Sequence, residues 1–248
     1  MTFHDLHHGA EPLLLPNAWD FASAVALHAA GFAAIGTTSL GVAAAHGLAD
    51  GEGVARAETV ALARMIAGLP VPVTVDIESG FGADVGELAA ELAGLGVAGV
   101  NIEDGRPGGR LADPREQAEL VRAAREGAPG LFVNARVDTH WLSVDQESTV
   151  DRARRYLDAG ADGVFVPGLV REQDIAAVVE AVDAPLNVLH VPAIGLKGLG
   201  ELGVRRVSTG SLLFRAALHA AVTTACAVRD GDPVAEGIPS YEDVRRLV

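Results

Sequence analysis

The chain has one cysteine, Cys226, and one lysine, Lys197, among its 248 residues. A single thiol excludes an internal disulfide and any cysteine-rich zinc site. Aromatic residues are scarce at 4%, so alanine, valine, leucine and glycine must fill the interior. Positive charge is short as well. The 19 Lys and Arg stand against 33 Asp and Glu, a formal net charge of −14. Such a surface repels phosphate backbones and anionic lipid, which argues against nucleic-acid and membrane partners. No uninterrupted apolar run reaches the roughly 20 residues of a membrane span. The opening Met1-Thr2-Phe3-His4-Asp5 lacks the basic-then-apolar order of a secretion signal, so a cytoplasmic location is expected.

What is present is a rhythm. Hydrophobic residues make up 49% of the chain and charged residues 21%, a balance that excludes extensive disorder. Short apolar runs recur at Leu13–Pro16, Ala33–Gly36, Val71–Val75, Gly99–Ile102, Leu131–Val133, Gly163–Val166, Leu186–Leu189 and Arg206–Val207. Most are continuous, as expected for parallel strands buried on both faces. Helical patterns lie between them. Asp84 with Glu87 reads as a capping box before Val85, Leu88, Leu92 and Leu95, and Ser148 with Asp151 as another before Val150, Ala153 and Leu157. Gly31, Gly96, Gly160 and Gly203 each precede the next run as helix stops. Eight such units, without a Gly-rich dinucleotide fingerprint after the first run, predict a single-domain (β/α)8 barrel over residues 1–248 rather than a doubly wound open sheet. The tail at 229–248, with Pro233, Pro239 and a helix-like Tyr241–Leu247, is expected to pack on a neighbouring subunit of a homodimer or homotetramer.

Barrels of this kind keep their chemistry at the carboxyl ends of the strands. There the third run leads into Asp76-Ile77-Glu78, the fourth into Glu103-Asp104 and the fifth through Asn134 to Arg136. Asp76 and Glu78, two apart, would share a side of a strand, and Glu103 could join them. Three converging carboxylates call for a hard divalent cation, and an oxygen-only set suits Mg²⁺ or Mn²⁺ better than zinc. The bland alternative makes them loop caps and solvated surface. Arg136 ends an apolar run, where a guanidinium needs an anion: either a structural salt bridge with Glu103 or a substrate carboxylate. The Thr37-Thr38-Ser39-Leu40-Gly41 stretch offers amides and hydroxyls for a carboxylate.

His190 at the seventh strand end is either an acid/base group or a hydrogen-bonded packing residue. His28 and His219 fall in helical patterns, and Cys226 reads as buried filler in an Ala-rich helix. Lys197 is the sole candidate for a Schiff base and lies in a Gly-flanked loop beyond the seventh run.

Taken in order and register, these motifs resemble those of the phosphoenolpyruvate mutase/isocitrate lyase superfamily, over about Leu13 to Ala220. The acidic-X-acidic stretch with its Gly-aromatic-Gly turn is Asp76 through Gly82, the Glu-Asp pair is Glu103-Asp104, and the strand-five arginine is Arg136. The carboxylate-binding turn is similar to Thr38-Ser39-Leu40, followed by an aspartate that matches Asp50. The resemblance implies Mg²⁺ held largely through waters by Asp76, Glu78 and Glu103 with Asp50 nearby, and a small 2-oxo or 2-hydroxy carboxylate, or a phosphonate, that reacts through an enolate. Together with the residue-based reading, the candidate catalytic set is Arg136, Asp50, Glu103 and His190, and the candidate substrate-binding set is Thr38, Ser39, Leu40, Asn134 and Arg136.

The sequence departs from the superfamily at two places. Glu103-Asp104-Gly105-Arg106-Pro107-Gly108-Gly109-Arg110-Leu111 replaces the lyase branch's Lys-Lys-Cys-Gly-His loop, and Pro167-Gly168 replaces the mutase branch's His and Ser. Arg106 and Arg110 would meet a second anionic group or simply be solvated. The expected activity is an Mg²⁺-dependent lyase or decarboxylase. A mutase or hydrolase acting on a carbon–phosphorus bond, a Lys197 aldolase and a non-catalytic carboxylate-binding barrel are the alternatives.

Overall fold

The computed structural model describes residues 2–247. Its strands, in chain order, are β1 Leu13–Leu15, β2 Asn17–Ala18, β3 Ile35–Thr37, β4 Val73–Asp76, β5 Gly99–Glu103, β6 Gly105–Arg106, β7 Arg110–Leu111, β8 Phe132–Arg136, β9 Gly163–Phe165, β10 Leu186–Leu189 and β11 Arg206–Ser208. The helices are α1 Phe21–Ala29, α2 Ser39–Ala45, α3 Arg56–Ile66, α4 Val85–Gly94, α5 Pro114–Gly127, α6 Thr139–Leu142, α7 Thr149–Asp158, α8 Glu172–Ala181, α9 Gly195–Glu201, α10 Leu212–Asp230 and α11 Tyr241–Arg245.

The main sheet runs β1-β11-β10-β9-β8-β5-β4-β3-β2, all parallel. Its two ends, β1 and β2, are halves of one stave separated by Pro16, which has no amide hydrogen to give to the ladder. β1 pairs with β11 and β2 with β3, so eight staves close into the (β/α)8 barrel. β6 and β7 form a small antiparallel hairpin standing on the mouth after β5.

The helices pack outside because their apolar stripes meet the outward faces of the staves. In α4, Val85, Leu88 and Leu92 are buried, and the Asp84 side chain accepts a hydrogen bond from the Glu87 amide at 3.0 Å. Gly31, Gly96, Gly160 and Gly203 all take positive φ, as helix stops require. The second capping box does not form. Ser148 ends a short 3₁₀ turn, and its hydroxyl donates to the Asp145 carbonyl at 2.8 Å instead. At the floor of the barrel, Phe3, Leu13, Leu15, Ala34 and Phe132 make a small apolar cluster. Gly99 is glycine for a steric reason: a Cβ there would approach Phe3 Cε1 to 2.8 Å and Phe132 O to 2.9 Å.

α10 corrects the reading of Cys226. Only Phe214 of its 19 residues is buried, and Cys226 is half-exposed rather than core filler. It also carries an 18-residue window of mean hydropathy 1.2, long and apolar enough to meet the length and composition test for a membrane helix. Arg215 and His219 interrupt that stretch, which is why it does not read as an apolar run.

Candidate active site

Alternation along the staves decides which side chains reach the mouth. Asp76, Glu103 and Arg136 are the last residues of β4, β5 and β8, one or more residues beyond where the apolar runs end. Glu103 and Arg136 are register partners, and so are Arg136 and Phe165. All four line a cavity of about 300 Å³ at the carboxyl ends of the staves. Arg136 Nη1 donates to Glu103 Oε2 at 2.6 Å, and Nε to Asp138 Oδ1 at 2.6 Å. Asp138 is fixed in turn by its amide, which donates to Asp104 Oδ1 at 2.8 Å. Asp104, fully buried, accepts at Oδ2 from Tyr156 Oη at 2.8 Å and Arg152 Nη1 at 3.1 Å. Gly105 leaves room for this arrangement, since a Cβ would collide with the Asp138 carboxylate.

One guanidinium serves several acids. Burial pushes the Glu103 carboxyl up to about 8, against the neighbouring Arg136 and with the help of Asp138, Asp76 and Asp50. Burial likewise raises Asp76 to about 6, against Arg136 and the Glu78 amide and with the help of Asp50 and Asp138. Burial alone would lower the Arg136 value, but Glu103, Asp138 and Asp76 hold that side chain firmly charged. The two partners of the Glu103–Arg136 pair therefore differ. The guanidinium is held charged by several acids, and the carboxylate cluster carries more negative charge than this one cation balances. Such a cluster takes up protons or a cation.

Oxygen donors of this kind fit Mg²⁺ in one particular way. Among the described residues no three His, Cys, Asp or Glu side chains come close enough to share one ion. A closed protein cage is therefore absent from that part of the chain. Mg²⁺ commonly keeps several waters and leans on one or two carboxylates plus substrate oxygens, and Asp76 and Glu103 at the cavity wall suit that arrangement.

The structure brings Asp50, Thr38, Ser39, Leu40, Asp76, Glu103 and Arg136 to the same cavity. It leaves three of the expected residues outside. Glu78 turns away because β4 ends at Asp76 and Glu78 adopts φ +49°, so the two-residue alternation no longer holds. Its Oε2 accepts from the Gly53 amide at 2.8 Å, pinning the loop that carries Asp50. In this arrangement Glu78 stands outside the cavity and supports that loop. Asn134 faces inward one layer deeper, where its Nδ2 donates to Asn101 Oδ1 at 2.9 Å. His190 is exposed and follows Leu189, whose side chain takes the cavity-facing position. Lys197 is 92% exposed on α9 beside Glu201, far from a desolvated mouth.

Residue-type reasoning missed Asp138, Trp141, Leu142, Phe165 and Leu189, all on the cavity wall. Asp138 carried a signal, two residues after an inward Arg136. The apolar four carried none that distinguishes them from core.

Comparison with known proteins shows the family. The family model described as phosphoenolpyruvate phosphomutase matches residues 3–229, and the chain belongs to this family, within the phosphoenolpyruvate mutase/isocitrate lyase superfamily. An uncharacterized protein of Mycobacterium tuberculosis is 47% identical, covering 100% of this chain and 96% of the relative. 2-Methylisocitrate lyase of Bacillus subtilis (strain 168) is 29% identical over 74% of this chain and 64% of that enzyme. Oxaloacetate decarboxylase of Bradyrhizobium sp. (strain BTAi1) is 32% identical over 72% of this chain and 67% of that enzyme. Among solved structures, a Burkholderia cenocepacia J2315 protein provisionally assigned as a lyase or mutase superposes with a TM-score of 0.90 at 32% identity, covering 99% of this chain and 93% of that one. Phosphonopyruvate hydrolase, solved with oxalate and Mg²⁺, shares the fold with a TM-score of 0.86 at 23% identity, covering 100% of this chain and 95% of that one.

Proposed function

We propose that the protein is an Mg²⁺-dependent lyase or decarboxylase acting on a small 2-oxo or 2-hydroxy carboxylate through an enolate. The observation that carries this reading is the convergence of Asp76, Glu103 and Arg136 from three staves on one cavity, with a single guanidinium among several carboxylates. Relatives described as a 2-methylisocitrate lyase and an oxaloacetate decarboxylase support it.

When bound, Mg²⁺ supplies a Lewis acid for the negative charge that grows on substrate oxygen. Asp76 and Glu103 are the residues that would hold it, largely through water. Arg136 uses two of its N–H donors on Glu103 and Asp138 and has others for the substrate's 2-oxygen. Asp138, clamped from behind by Asp104, fixes the guanidinium plane, so this donor needs no reorganisation as charge develops. The amides of Ser39 and Leu40, in the first turn of α2, have no intrahelical acceptor and are the donors for the substrate carboxylate. That contact orients the bond to be broken. Asp50, at the cavity wall on the loop pinned by Glu78, is the carboxylate available for proton transfer. Pro167 and Gly168 offer no side-chain donor to a migrating phosphoryl group, which favours carbon–carbon over carbon–phosphorus chemistry.

A panel of 2-oxo and 2-hydroxy acids with phosphonopyruvate, followed for pyruvate and phosphate release, tests the reading. Pyruvate without phosphate, abolished by chelation and restored by Mg²⁺, is the expected result. Turnover that survives exhaustive chelation contradicts it.

The working form we propose is a homo-oligomer in which a second copy covers α10. Leu218, Val222 and Val228 are more than half exposed along that helix, an apolar face of the kind that marks an interaction site.

A further inference from the structure

The mouth is divided into two arcs. Around the barrel, β3, β4, β5 and β8 and their loops supply Asp50, Asp76, Glu103, Arg136 and Asp138. The next part of the ring supplies hydrocarbon: Phe165 and Pro167 at the end of β9, Leu189 at the end of β10, and Trp141 and Leu142 from α6. These are contiguous. Gly168 lies so close to α6 that a Cβ would stand 2.9 Å from His140 C and 3.0 Å from Trp141 N, and a Cβ on Gly210 would stand 2.9 Å from Leu189 Cδ2.

Among the described residues no cation is free to serve that second arc. Arg106 and Arg136 are the basic residues lining the cavity. Arg106 is consumed by the hairpin. Its Nη1 donates to Glu103 O at 3.1 Å and Gly105 O at 2.7 Å, and its Nη2 donates to Gln117 Oε1 at 2.8 Å. Arg110 is exposed, with Nε on Pro107 O at 3.3 Å. The sequence-based idea that these two arginines greet a second anionic group is not supported by this geometry.

We propose that this apolar arc selects 2-oxo acids with one carboxylate and a C4 hydroxyl on a branched, uncharged hydrocarbon carbon, so that the hydroxyl proton passes to a base, the C3–C4 bond breaks to the enolate and the hydrocarbon leaves as a neutral carbonyl compound, and that it discriminates against acids with a second carboxylate there. The inference rests on the head-group reading given under Proposed function. A distal carboxylate would be desolvated against Phe165, Leu189 and Trp141 with no partner, next to a mouth already rich in acids. A branched alkyl group of the same shape instead gains from burial. Sites discriminate most sharply when the wrong ligand leaves a polar group unpaired.

Malate and 2-hydroxy-4-methylpentanoate form a near-isosteric pair: two methyl groups stand where malate has its distal carboxylate oxygens. Calorimetric titration of the full chain in Mg²⁺ with these two acids, and with oxalate as a bare head group, tests the proposal. Oxalate is expected to bind, and the alkyl acid to bind at least about tenfold more tightly than malate. Oxalate binding with malate equal or tighter, or with neither longer acid bound, overturns the selectivity while leaving the head-group reading intact. Failure of oxalate itself to bind overturns that reading and this inference with it.

Trp141, 56% exposed, can be changed without emptying the core. Trp141→Arg is expected to swing the preference from the alkyl acid toward malate. An unchanged malate-to-alkyl ratio in that variant also overturns the proposal.

Discussion

Arg136 and Glu103 face each other across neighbouring staves, register partners whose Nη1 and Oε2 lie 2.6 Å apart. The contact joins the guanidinium that would face substrate to the carboxylate that would face the metal. Neither side chain can be repositioned without the other, and Asp138 holds the guanidinium from its second edge.

Arg136→Lys keeps a positive charge but loses the planar fork that meets Glu103 and Asp138 together. Turnover is expected to fall by on the order of 10²-fold, comparable to losing one preorganised oxyanion donor. Arg136→Met additionally leaves two largely buried carboxylates unpaired, and should cost about 3 kcal/mol of stability. Steady-state kinetics and chemical denaturation at neutral pH check both effects.

The raised carboxyls set a pH dependence. Glu103 at about 8 and Asp76 at about 6 bind protons more tightly in the folded chain than when unfolded. Between the unfolded values and these folded values the native state holds more protons, so the stability they contribute is lost as pH rises through the folded values. Metal-free protein should therefore lose thermal stability from about pH 5 to about pH 8, and added Mg²⁺ should raise Tm most at the alkaline end. Thermal melts across that range, with and without Mg²⁺, check the sign.

Sequence and structure agree where periodicity is strong. The eight runs became eight staves because continuous apolar segments bounded by helix stops have few other solutions. Asp76 and Glu103 were legible because each directly follows such a run, and Arg136 because it lies three residues past one. Glu78 stands away from Asp76 because a two-residue spacing implies a shared face only while the strand continues, and β4 stops at Asp76. Asn134 shares a face with Arg136 but lies a layer below, a depth that alternation alone cannot give. His190 lies off the cavity wall for the complementary reason: Leu189 takes the inward position. The apolar arc was invisible, because Phe165 and Leu189 read as core until the ring order places them opposite the acids.

Tyr156→Phe removes the hydroxyl that donates to Asp104 Oδ2 while Arg152 remains on the same oxygen. A loss of about 1 kcal/mol is expected from one buried charge-assisted hydrogen bond. Because Asp104 orients Asp138, kcat should fall more than KM rises. Denaturant midpoints together with kinetics check the pairing.

Leu218→Glu places a charge on the exposed apolar face of α10. If a second copy covers that face, the variant should sediment as a smaller species than the parent while keeping its melting temperature at low concentration. Light scattering coupled to gel filtration reads the change.

The most direct test of the account is Mn²⁺ binding followed by electron paramagnetic resonance, with and without oxalate, in the parent chain and in Asp76→Ala. The account predicts that oxalate tightens Mn²⁺ binding to the parent and that the variant binds the ion at least about tenfold more weakly. Equal Mn²⁺ affinity in the two proteins, indifferent to oxalate, would contradict it.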